Sequence, residues 1–492
     1  MFGAIRKKIA IGYLWNLLAK WLNRSIGLIS TLCLVRILDP EDFGIVALAS
    51  IVMAFFVMLS NAGTDKYLIK VKECTNEMLN SAWSLNITLK FVCSLVLALM
   101  AKKLSIYMNE PVLENVLLVC CLIPVISAFK NVGMVLFERE LDYKPITRLS
   151  VGVKVAVVPI TLIGAILIQS YWALIIGLLA SEILTVLGSY RIHPYRPKWS
   201  MTLWKNQWSF SKWHLLSTSS GYIRSRIDAL LLGRYLTSAD VGVYRVSQEF
   251  AWLPFTEVIS PASSSMYAGI TQVREHHEEL KCSILNYLAF AYLLVVPSAF
   301  GIFALSDLFT EVVLGEKWLE AAPIIGLLSL LMLSMPLNIS LQSVLTNLSK
   351  IKYLVLLDVV MISAIVGLII GLSKSNNFDL LSYTQYRVAL VVLFMLMLCV
   401  AYKFLINLSP IRIMAVILLP TIPSIVMVNV IASLKPQLHY SEAINLIILV
   451  IAGGISFVPV MAVLIGVTKN WFVEYALIFD VLKKLKASTQ KG

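Results

Sequence analysis

Two predicted helices carry polar and basic residues along a single face. In the first helix these residues follow one another at offsets of four, seven, eight and eleven, which is one stripe of a 3.6-residue helix. They are Asn16, Lys20, Asn23, Arg24 and Gly27. A second stripe consists of Ser217, Gly221, Arg224 and Asp228. Because ammonium and guanidinium groups bind anions, the two stripes predict a cationic cleft for a negatively charged substrate.

Further basic residues fall inside apolar stretches of the chain. Lys90 and Lys130 can extend the cationic cleft or can satisfy buried hydrogen bonds, and the sequence leaves both readings open. Arg226 lies off the Arg224 stripe, and Lys154 and Arg245 lie close to helix ends, so we assign these three to packing or to snorkelling toward the headgroups.

Three acidic residues are candidates for coupling an ion to transport. Asp228 is one helical turn from Arg224, so it can form an intrahelical ion pair or can titrate during transport. Glu249 and Glu257, two turns apart in the next predicted helix, can also serve as titrating carboxylates.

The elements that position these residues must be membrane spans. The chain has 492 residues, of which 59% are hydrophobic and 14% are charged. In soluble proteins about a quarter of the residues are charged. A helix that spans the membrane needs about 20 mostly apolar residues. Fourteen such runs are present, at 11–35, 43–62, 80–101, 112–137, 149–168, 171–190, 213–235, 241–263, 282–305, 321–346, 353–372, 385–405, 411–433 and 442–467. The sequence predicts an all-α integral membrane protein.

The basic residues predict the orientation of these spans. With a cytoplasmic N-terminus, and with residues at span ends counted in the adjoining loop, 25 of the 41 Lys and Arg lie inside, 8 outside and 8 within spans. This asymmetry follows the positive-inside rule, so both termini are predicted to be cytoplasmic. It also accounts for the net charge of +13 without a nucleic-acid partner.

An internal repeat organises the chain. The stretch RILDPEDFGIVALA from Arg36 aligns with RYLTSADVGVYRVS from Arg234 at an offset of 198, and Trp15 falls on Trp213 in the same register. Six spans separate the copies, so the repeats are parallel and predict two pseudo-symmetric six-helix lobes with the substrate site between them. The lobes are 1–190 and 213–405, joined by a Trp- and Lys-rich interfacial linker, 191–212, and followed at 406–492 by two extra spans and a basic tail.

The repeated stretch itself predicts a corner. Asp42 and Asp240 stand where a first-turn acid favours the next helix, and Gly44 and Gly242 permit close helix contact. No Walker A, HExxH or GxSxG sequence is present, and loops are shorter than about two dozen residues. The seven Cys show no paired spacing. These features predict a transporter with no metal and no cofactor, and no enzyme.

Several stretches resemble the polysaccharide exporters of the MOP superfamily, especially the colanic acid exporter branch. They are VRILDPEDFGIVALA, LSNAGTDKYLIKVKE, LFERELDYKPI, LLLGRYLTSADVGVYRVS and VLGEKWLEAAPIIGLLSL, and they cover most of residues 10–350. The segment SSSMYAGITQ departs from the family, which commonly has a proline there. Beyond residue 350 the similarity is one of hydropathy alone.

The resemblance implies a flippase of the bacterial inner membrane. Its substrate would be an undecaprenyl-diphosphate-linked oligosaccharide, moved to the outer leaflet by alternating access for capsule, O-antigen or exopolysaccharide assembly. The diphosphate would explain the cationic cleft. The partners would be membrane lipids and a polymerase with its chain-length machinery, and the transport unit would be monomeric. A cation-coupled drug extruder of the MATE type and a multi-span polysaccharide polymerase are the alternatives. A drug extruder would need an acidic, aromatic site. A polymerase would need larger outer loops.

Labelling of single cysteines tests the predicted orientation. In a variant whose native cysteines are replaced, Lys198→Cys should react with a membrane-impermeant maleimide only from the cytoplasm, and Lys317→Cys only from outside, because the charge asymmetry places these loops on opposite sides. The reverse pattern would overturn the two-lobe topology.

Overall fold

The computed structural model describes residues 2–60, 64–71, 74–140, 142–204, 208, 226, 228, 230–259, 266, 270, 273, 275–348, 350–374, 378–468, 471, 472, 474 and 475. All regular structure in these ranges is helical. The first half contains α1 (Phe2–Ile37), α2 (Pro40–Ser60), α3 (Thr64–Lys70), α4 (Asn76–Tyr107), α5 (Val112–Cys120), α6 (Leu122–Ala128), α7 (Met134–Arg139), α8 (Lys144–Ile168) and α9 (Trp172–Ile192). The second contains α10 (Ser238–Ala251), α11 (His277–Phe309), α12 (Ala321–Leu331), α13 (Met335–Asn347), α14 (Ile351–Ser373), α15 (Leu380–Ile406), α16 (Pro410–Leu418), α17 (Thr421–Leu434) and α18 (Glu442–Thr468).

Within the described residues, ten helical segments are long and apolar enough to cross a membrane. They are Pro40–Ser60, Asn76–Tyr107, Lys144–Ile168, Trp172–Ile192, His277–Leu314, Ala321–Asn347, Lys352–Ser373, Leu380–Ile406, Pro410–Gln437 and Glu442–Thr468. The prediction of an all-α, multi-pass membrane protein is therefore confirmed. Each of these segments covers one of the fourteen predicted runs.

The other four predicted spans have different outcomes. The run 11–35 lies within the 36-residue helix α1. The run 112–137 is divided among α5, α6 and α7. The first break falls at Cys121, and the polar sequence around Lys130 and Asn131 forms the turn between α6 and α7. Most of 213–235 and the end of 241–263 lie outside the described residues, so their spans stay predictions.

The chain divides into two compact units, Met1–Gly242 and Val243–Gly492. In the first unit, α1 packs on α8 and α8 on α9, while α2, α4, α5 and α9 enclose an apolar core. In the second unit α11 is central, with Tyr292, Val295 and Val296 fully buried among its neighbours. The boundary between the predicted lobes at 191–212 stays a prediction.

The linker after α9 runs along the amino-terminal end of α4. The backbone N–H groups of Lys198 and Ser200 donate to Asn80 Oδ1 at 2.7 Å and to Ser84 Oγ at 2.8 Å. The hydroxyl of Tyr195 also donates to Asn80 Oδ1, at 2.8 Å. These bonds fix residues 195–200 to the first unit, since each satisfies a polar group that the linker would otherwise expose.

One ion pair joins the last two spans to α11, and side-chain contacts at their other ends join the two spans to each other. Lys435, after α17, pairs with Asp307 of α11 at 2.5 Å. Arg412 of α16 forms a forked pair with both carboxylate oxygens of Glu474, at 2.9 and 3.1 Å, and Glu474 is only 5% exposed. Tyr475 donates a hydrogen bond to the carbonyl of Val416 at 2.7 Å. The chain that follows α18 thus folds back onto α16.

The predicted corner is present twice, and the two copies share one hydrogen bond. At the start of α2 the N–H of Asp39 donates to Asp42 Oδ2 at 3.1 Å, and at the start of α10 the N–H of Thr237 donates to Asp240 Oδ2 at 3.1 Å. At the second corner Thr237 Oγ1 also accepts from the N–H of Asp240 at 3.2 Å, which completes a capping box. The acids at these positions therefore start the helices, as the sequence predicts.

The glycines of the two corners permit close packing, as predicted. A Cβ on Gly44 would lie 1.6 Å from the carbonyl oxygen of Ser238, and a Cβ on Gly242 would lie 1.9 Å from the carbonyl oxygen of Pro40. Pro40 and Ser238 are equivalent under the offset of 198. The first turns of α2 and α10 therefore pack against each other through equivalent atoms.

Substitution of Gly44 tests this contact. We expect Gly44→Ala to lower the melting temperature of the purified protein, because the blocking atom is backbone and overpacking costs about 1–3 kcal/mol. Gly152→Ala is the matched control: its Cβ would meet nothing within 4 Å, and Ala favours a helix interior by about 1 kcal/mol. Equal melting temperatures for the two variants would contradict the packing.

Candidate functional site

The polar stripe of α1 lies against α8. Asn23 Nδ2 donates to Ser150 Oγ of α8 at 3.2 Å, and Gly27 leaves room for Lys154, whose Nζ would lie 3.8 Å from a Cβ at that position. Lys20 is exposed and Arg24 is half-buried on the same stripe. We call Lys20, Arg24 and Lys154 the basic face. Lys154, which the sequence assigned to packing near a helix end, thus belongs beside the predicted substrate-binding residues.

The basic face is formed by two helices that contain no acidic residue. Neither α1 nor α8 contains Asp or Glu along its length. Each charge near the centre of a spanning helix costs about 2.5–3.5 kcal/mol on insertion scales, so three basic groups need an anionic or hydrated surrounding. Arg24 has other interactions besides, but the two helices that carry the face supply no carboxylate to it.

Lys90 and Lys130 line one cavity of about 200 Å³ inside the first unit. We call it the polar cavity. Its other lining residues come from the end of α2, from α3, α4, α6 and α7 and from the turn between α6 and α7, and they are Val57, Asp65, Trp83, Asn86, Ser127, Ala128, Asn131, Val132, Met134, Val135 and Glu138. Trp83, Asn86 and Lys90 form one stripe of α4. The structure therefore brings the two predicted lysines together.

Lys90 makes the buried hydrogen bonds that the sequence offered as one of its two readings, while its part in a cationic cleft stays a prediction. Its Nζ donates to Ser127 Oγ at 3.0 Å and to the carbonyl of Ser127 at 3.2 Å, and Ser127 Oγ in turn donates to the carbonyl of Pro124 at 3.0 Å. An ammonium group has three N–H donors. Two therefore hold α6 against α4, and one is left for a ligand in the polar cavity.

Carboxylates balance the lysines of the polar cavity. Asp65 and Glu138 line it, and Glu182 of α9 is close enough to interact electrostatically with Lys90 and Lys130. Burial raises the pKa of Glu138, the neighbouring Asp65 raises it further, and Lys130 opposes the shift. The polar cavity is thus a mixed-charge site, unlike the basic face.

Two residues that the sequence did not single out hold together elements that surround the polar cavity. Arg139 Nη1 donates to the carbonyls of Leu68 and Val71, the latter at 2.8 Å, so it caps the carboxyl end of α3. Asn131 Nδ2 donates to the carbonyls of His193 and Tyr195, at 3.1 and 2.8 Å. The only sequence signal for Asn131 is the polar break that it makes in the run 112–137.

Among the described residues, the predicted coupling carboxylates Asp228, Glu249 and Glu257 do not line this cavity. Arg224 lies outside the described residues. Asp228 is half-buried in the first unit, and Glu249 and Glu257 are half-buried in the second, where Thr256 Oγ1 donates to Glu257 Oε1 at 3.3 Å. Their part in ion coupling stays a prediction.

Arg387 is a buried charge that the sequence analysis missed. It is 6% exposed within α15, and it lines a cavity of about 130 Å³ between α14 and α15. Arg387 lies at the start of the predicted span 385–405, so the charge asymmetry assigns it to the outer loop.

The sequence profile of the polysaccharide biosynthesis protein family matches residues 33–323. The chain belongs to this family. Among relatives, the succinoglycan biosynthesis transport protein ExoT of Rhizobium meliloti is 24% identical over 320 residues. That match covers 64% of this chain and 64% of ExoT, so the chain spans just under two thirds of that relative's length.

Solved structures show the fold. The lipid II flippase MurJ, in an inward closed conformation, superposes with a TM-score of 0.71 at 14% identity, over 92% of this chain and 99% of MurJ. An inward-facing multidrug resistance MATE family transporter of the MOP superfamily superposes with a TM-score of 0.57 at 14% identity, over 80% of this chain and 95% of the transporter. The chain therefore has a MOP-superfamily fold, and its family is one of transporters, as the sequence predicted.

The raised pKa of Glu138 predicts a pH-dependent stability. A carboxyl whose folded pKa lies above its ordinary 4.5 binds more protons when folded, so its contribution to stability falls as pH rises through the window between the two values. Glu138→Gln should therefore raise the melting temperature at pH 7.5 and flatten its decline above pH 4.5.

The exposed Glu320 supplies the control for this prediction. Glu320→Gln should not give the rise in melting temperature at pH 7.5 that is expected of Glu138→Gln, since its side chain is exposed and lies outside the polar cavity. A Glu138→Gln variant with the wild-type profile would contradict the assigned environment of Glu138.

Proposed function

We propose that this protein moves an undecaprenyl-diphosphate-linked oligosaccharide from the cytoplasmic to the outer leaflet of a bacterial inner membrane. The product would enter assembly of a surface polysaccharide such as capsule, O-antigen or exopolysaccharide. The family, the transport function named for ExoT and the flippase fold named for MurJ support this proposal. Alternating access would expose the substrate site to each side of the membrane in turn.

The observation that carries the proposal is the acid-free pair α1 and α8. Lys20, Arg24 and Lys154 stand on helices with no carboxylate of their own, so the basic face suits a substrate that brings negative charge. A diphosphate does so, and its oxygens match the fork of an arginine. Arg224 would contribute from the second polar stripe.

The energy source and the partners follow from the same proposal. Asp228, Glu249 and Glu257 are the candidates for a carboxylate that exchanges a proton or cation during the cycle. The transport unit would be monomeric, embedded in membrane lipid, and would deliver its substrate to a polymerase with chain-length machinery at the outer face.

A MATE-type drug extruder is the second candidate, since a MATE transporter shares the fold. Extruded drugs are commonly cations, and a site for them needs carboxylates or aromatic faces. The basic face has the opposite sign. A polysaccharide polymerase is disfavoured because the family is one of transporters.

Substitution of Arg24 tests the proposal. In proteoliposomes, Arg24→Ala should abolish flipping of a fluorescent undecaprenyl-diphosphate-linked sugar, measured by a membrane-impermeant quencher, while the protein still folds. Arg24→Lys should restore flipping only in part, because lysine lacks the bidentate fork.

Arg36, exposed in the last turn of the same helix, is the matched control. Arg36→Ala should keep wild-type flux, since Arg36 lies twelve residues after Arg24, roughly 18 Å along the helix at 1.5 Å per residue. Wild-type flux in Arg24→Ala would refute the role of the basic face. Efflux of cationic dyes without lipid flipping would favour the drug extruder.

A further inference from the structure

The polar cavity contains hydrogen-bonding atoms that the protein does not satisfy. Among the described residues, the buried indole Nε1 of Trp83 and the buried Oδ1 of Asn86 have no hydrogen-bond partner. Asn86 Nδ2 is held by Thr64 Oγ1 at 2.8 Å, so one atom of its amide faces the hydroxyl and the other is left for a ligand. Buried polar groups in folded proteins are almost always paired, so these two atoms indicate a polar occupant.

The set of donors and acceptors defines the chemistry of that occupant. The donors are the Trp83 N–H, Lys130 and the third N–H of Lys90, and the acceptors are Asn86 and the carboxylates of Asp65 and Glu138. A phosphate only accepts hydrogen bonds and would be repelled by the two carboxylates. A sugar ring has hydroxyl groups that both donate and accept, and its C–H faces pack on an indole. The cavity fits a sugar better than a diphosphate.

The position of the cavity along α4 indicates when the ligand would bind. Trp83 and Lys90 lie seven and fourteen residues after the start of α4, which is roughly 10 and 21 Å along the helix at 1.5 Å per residue. Under the predicted topology α3, α7 and the start of α4 are cytoplasmic. The cavity would therefore extend from the cytoplasmic surface toward the membrane centre, on the side where the substrate is loaded.

We infer that the polar cavity binds the sugar ring attached to the diphosphate and reads it through Trp83 and Asn86. This inference rests on the proposed function, because it takes the lipid-linked oligosaccharide as the substrate. It divides recognition between two places in the first unit. The basic face takes the charged diphosphate, which every such lipid shares, and the polar cavity takes the sugar, which differs among them.

Binding of four lipids to the full chain in nanodiscs tests the inference. The lipids are undecaprenyl diphosphate itself and the same lipid bearing one glucose, one galactose or one N-acetylglucosamine. We expect the wild type to bind at least one of the sugar-bearing lipids about tenfold more tightly than the bare lipid, as one or two well-made hydrogen bonds provide.

Two substitutions should remove this preference and nothing else. Trp83→Phe keeps an aromatic ring and deletes the N–H, and Asn86→Ala deletes the amide. In both variants every sugar-bearing lipid should bind within about twofold of the bare lipid, whose own affinity should not change. Trp199→Phe and Asn429→Ala alter exposed residues outside the cavity and should keep the tenfold preference. If Asn86→Ala does not fold, Trp83→Phe alone decides.

The possible failures are distinguishable. Equal binding of all four lipids by the wild type, as expected if water alone fills the cavity, would overturn the sugar site and leave the proposed function intact. A preference that survives in both Trp83→Phe and Asn86→Ala would do the same. Failure of the wild type to bind any of the four lipids would overturn the proposed function and the sugar site together.

Discussion

The cost of placing charge in hydrocarbon determines how this protein is arranged. A charged side chain in a spanning helix must be paired, hydrogen-bonded or hydrated, because lipid offers none of these. The chain uses each solution in a different place. Arg412 and Glu474 neutralise each other in a forked pair, and Lys90 donates two hydrogen bonds to Ser127. The basic face has no carboxylate from its own two helices, and under the proposed function the diphosphate of the substrate lowers the cost there.

The same reasoning applies to the backbone at the ends of helices. The first N–H groups of a helix have no partner within it, so a membrane helix that begins at a tight corner needs a cap. Asp42 and Asp240 provide that cap with identical geometry, 198 residues apart. Gly44 and Gly242 then let the carbonyls of Ser238 and Pro40 approach closely. One local solution, present in both copies, sets both the start of the helix and its packing.

Features that depend on neighbouring residues were predictable from the sequence, and features that depend on distant contacts were not. The corners follow from a few residues, and the apolar runs from the thickness of a membrane. The run 112–137 was harder, because hydropathy does not show that Lys130 and Asn131 form a turn there. The burial of Arg387 depends on how α14 packs against α15, and no residue next to it in the sequence signals that contact. For Lys90 and Lys130 the sequence predicted either an extension of the cationic cleft or buried hydrogen bonds. It did not show that the two lysines share a cavity with carboxylates from α3 and α7, because those contacts are distant in sequence.

The first unit therefore contains two electrostatic environments, and both follow from the cost of placing charge in hydrocarbon. Under the proposed function, the basic face, which lies on two helices without acids, selects a ligand by the sign of its charge, and this suits a diphosphate common to many lipids. In the polar cavity the charges of Lys90 and Lys130 are balanced by Asp65 and Glu138. There the sign of a ligand's charge would not decide binding, and the positions of individual hydrogen-bond donors and acceptors would. A lipid-linked oligosaccharide contains both chemistries in sequence, a charged link followed by neutral rings. A transporter that had only the basic face could bind the link but could not distinguish one sugar from another, so a mixed-charge cavity is the feature that selectivity requires.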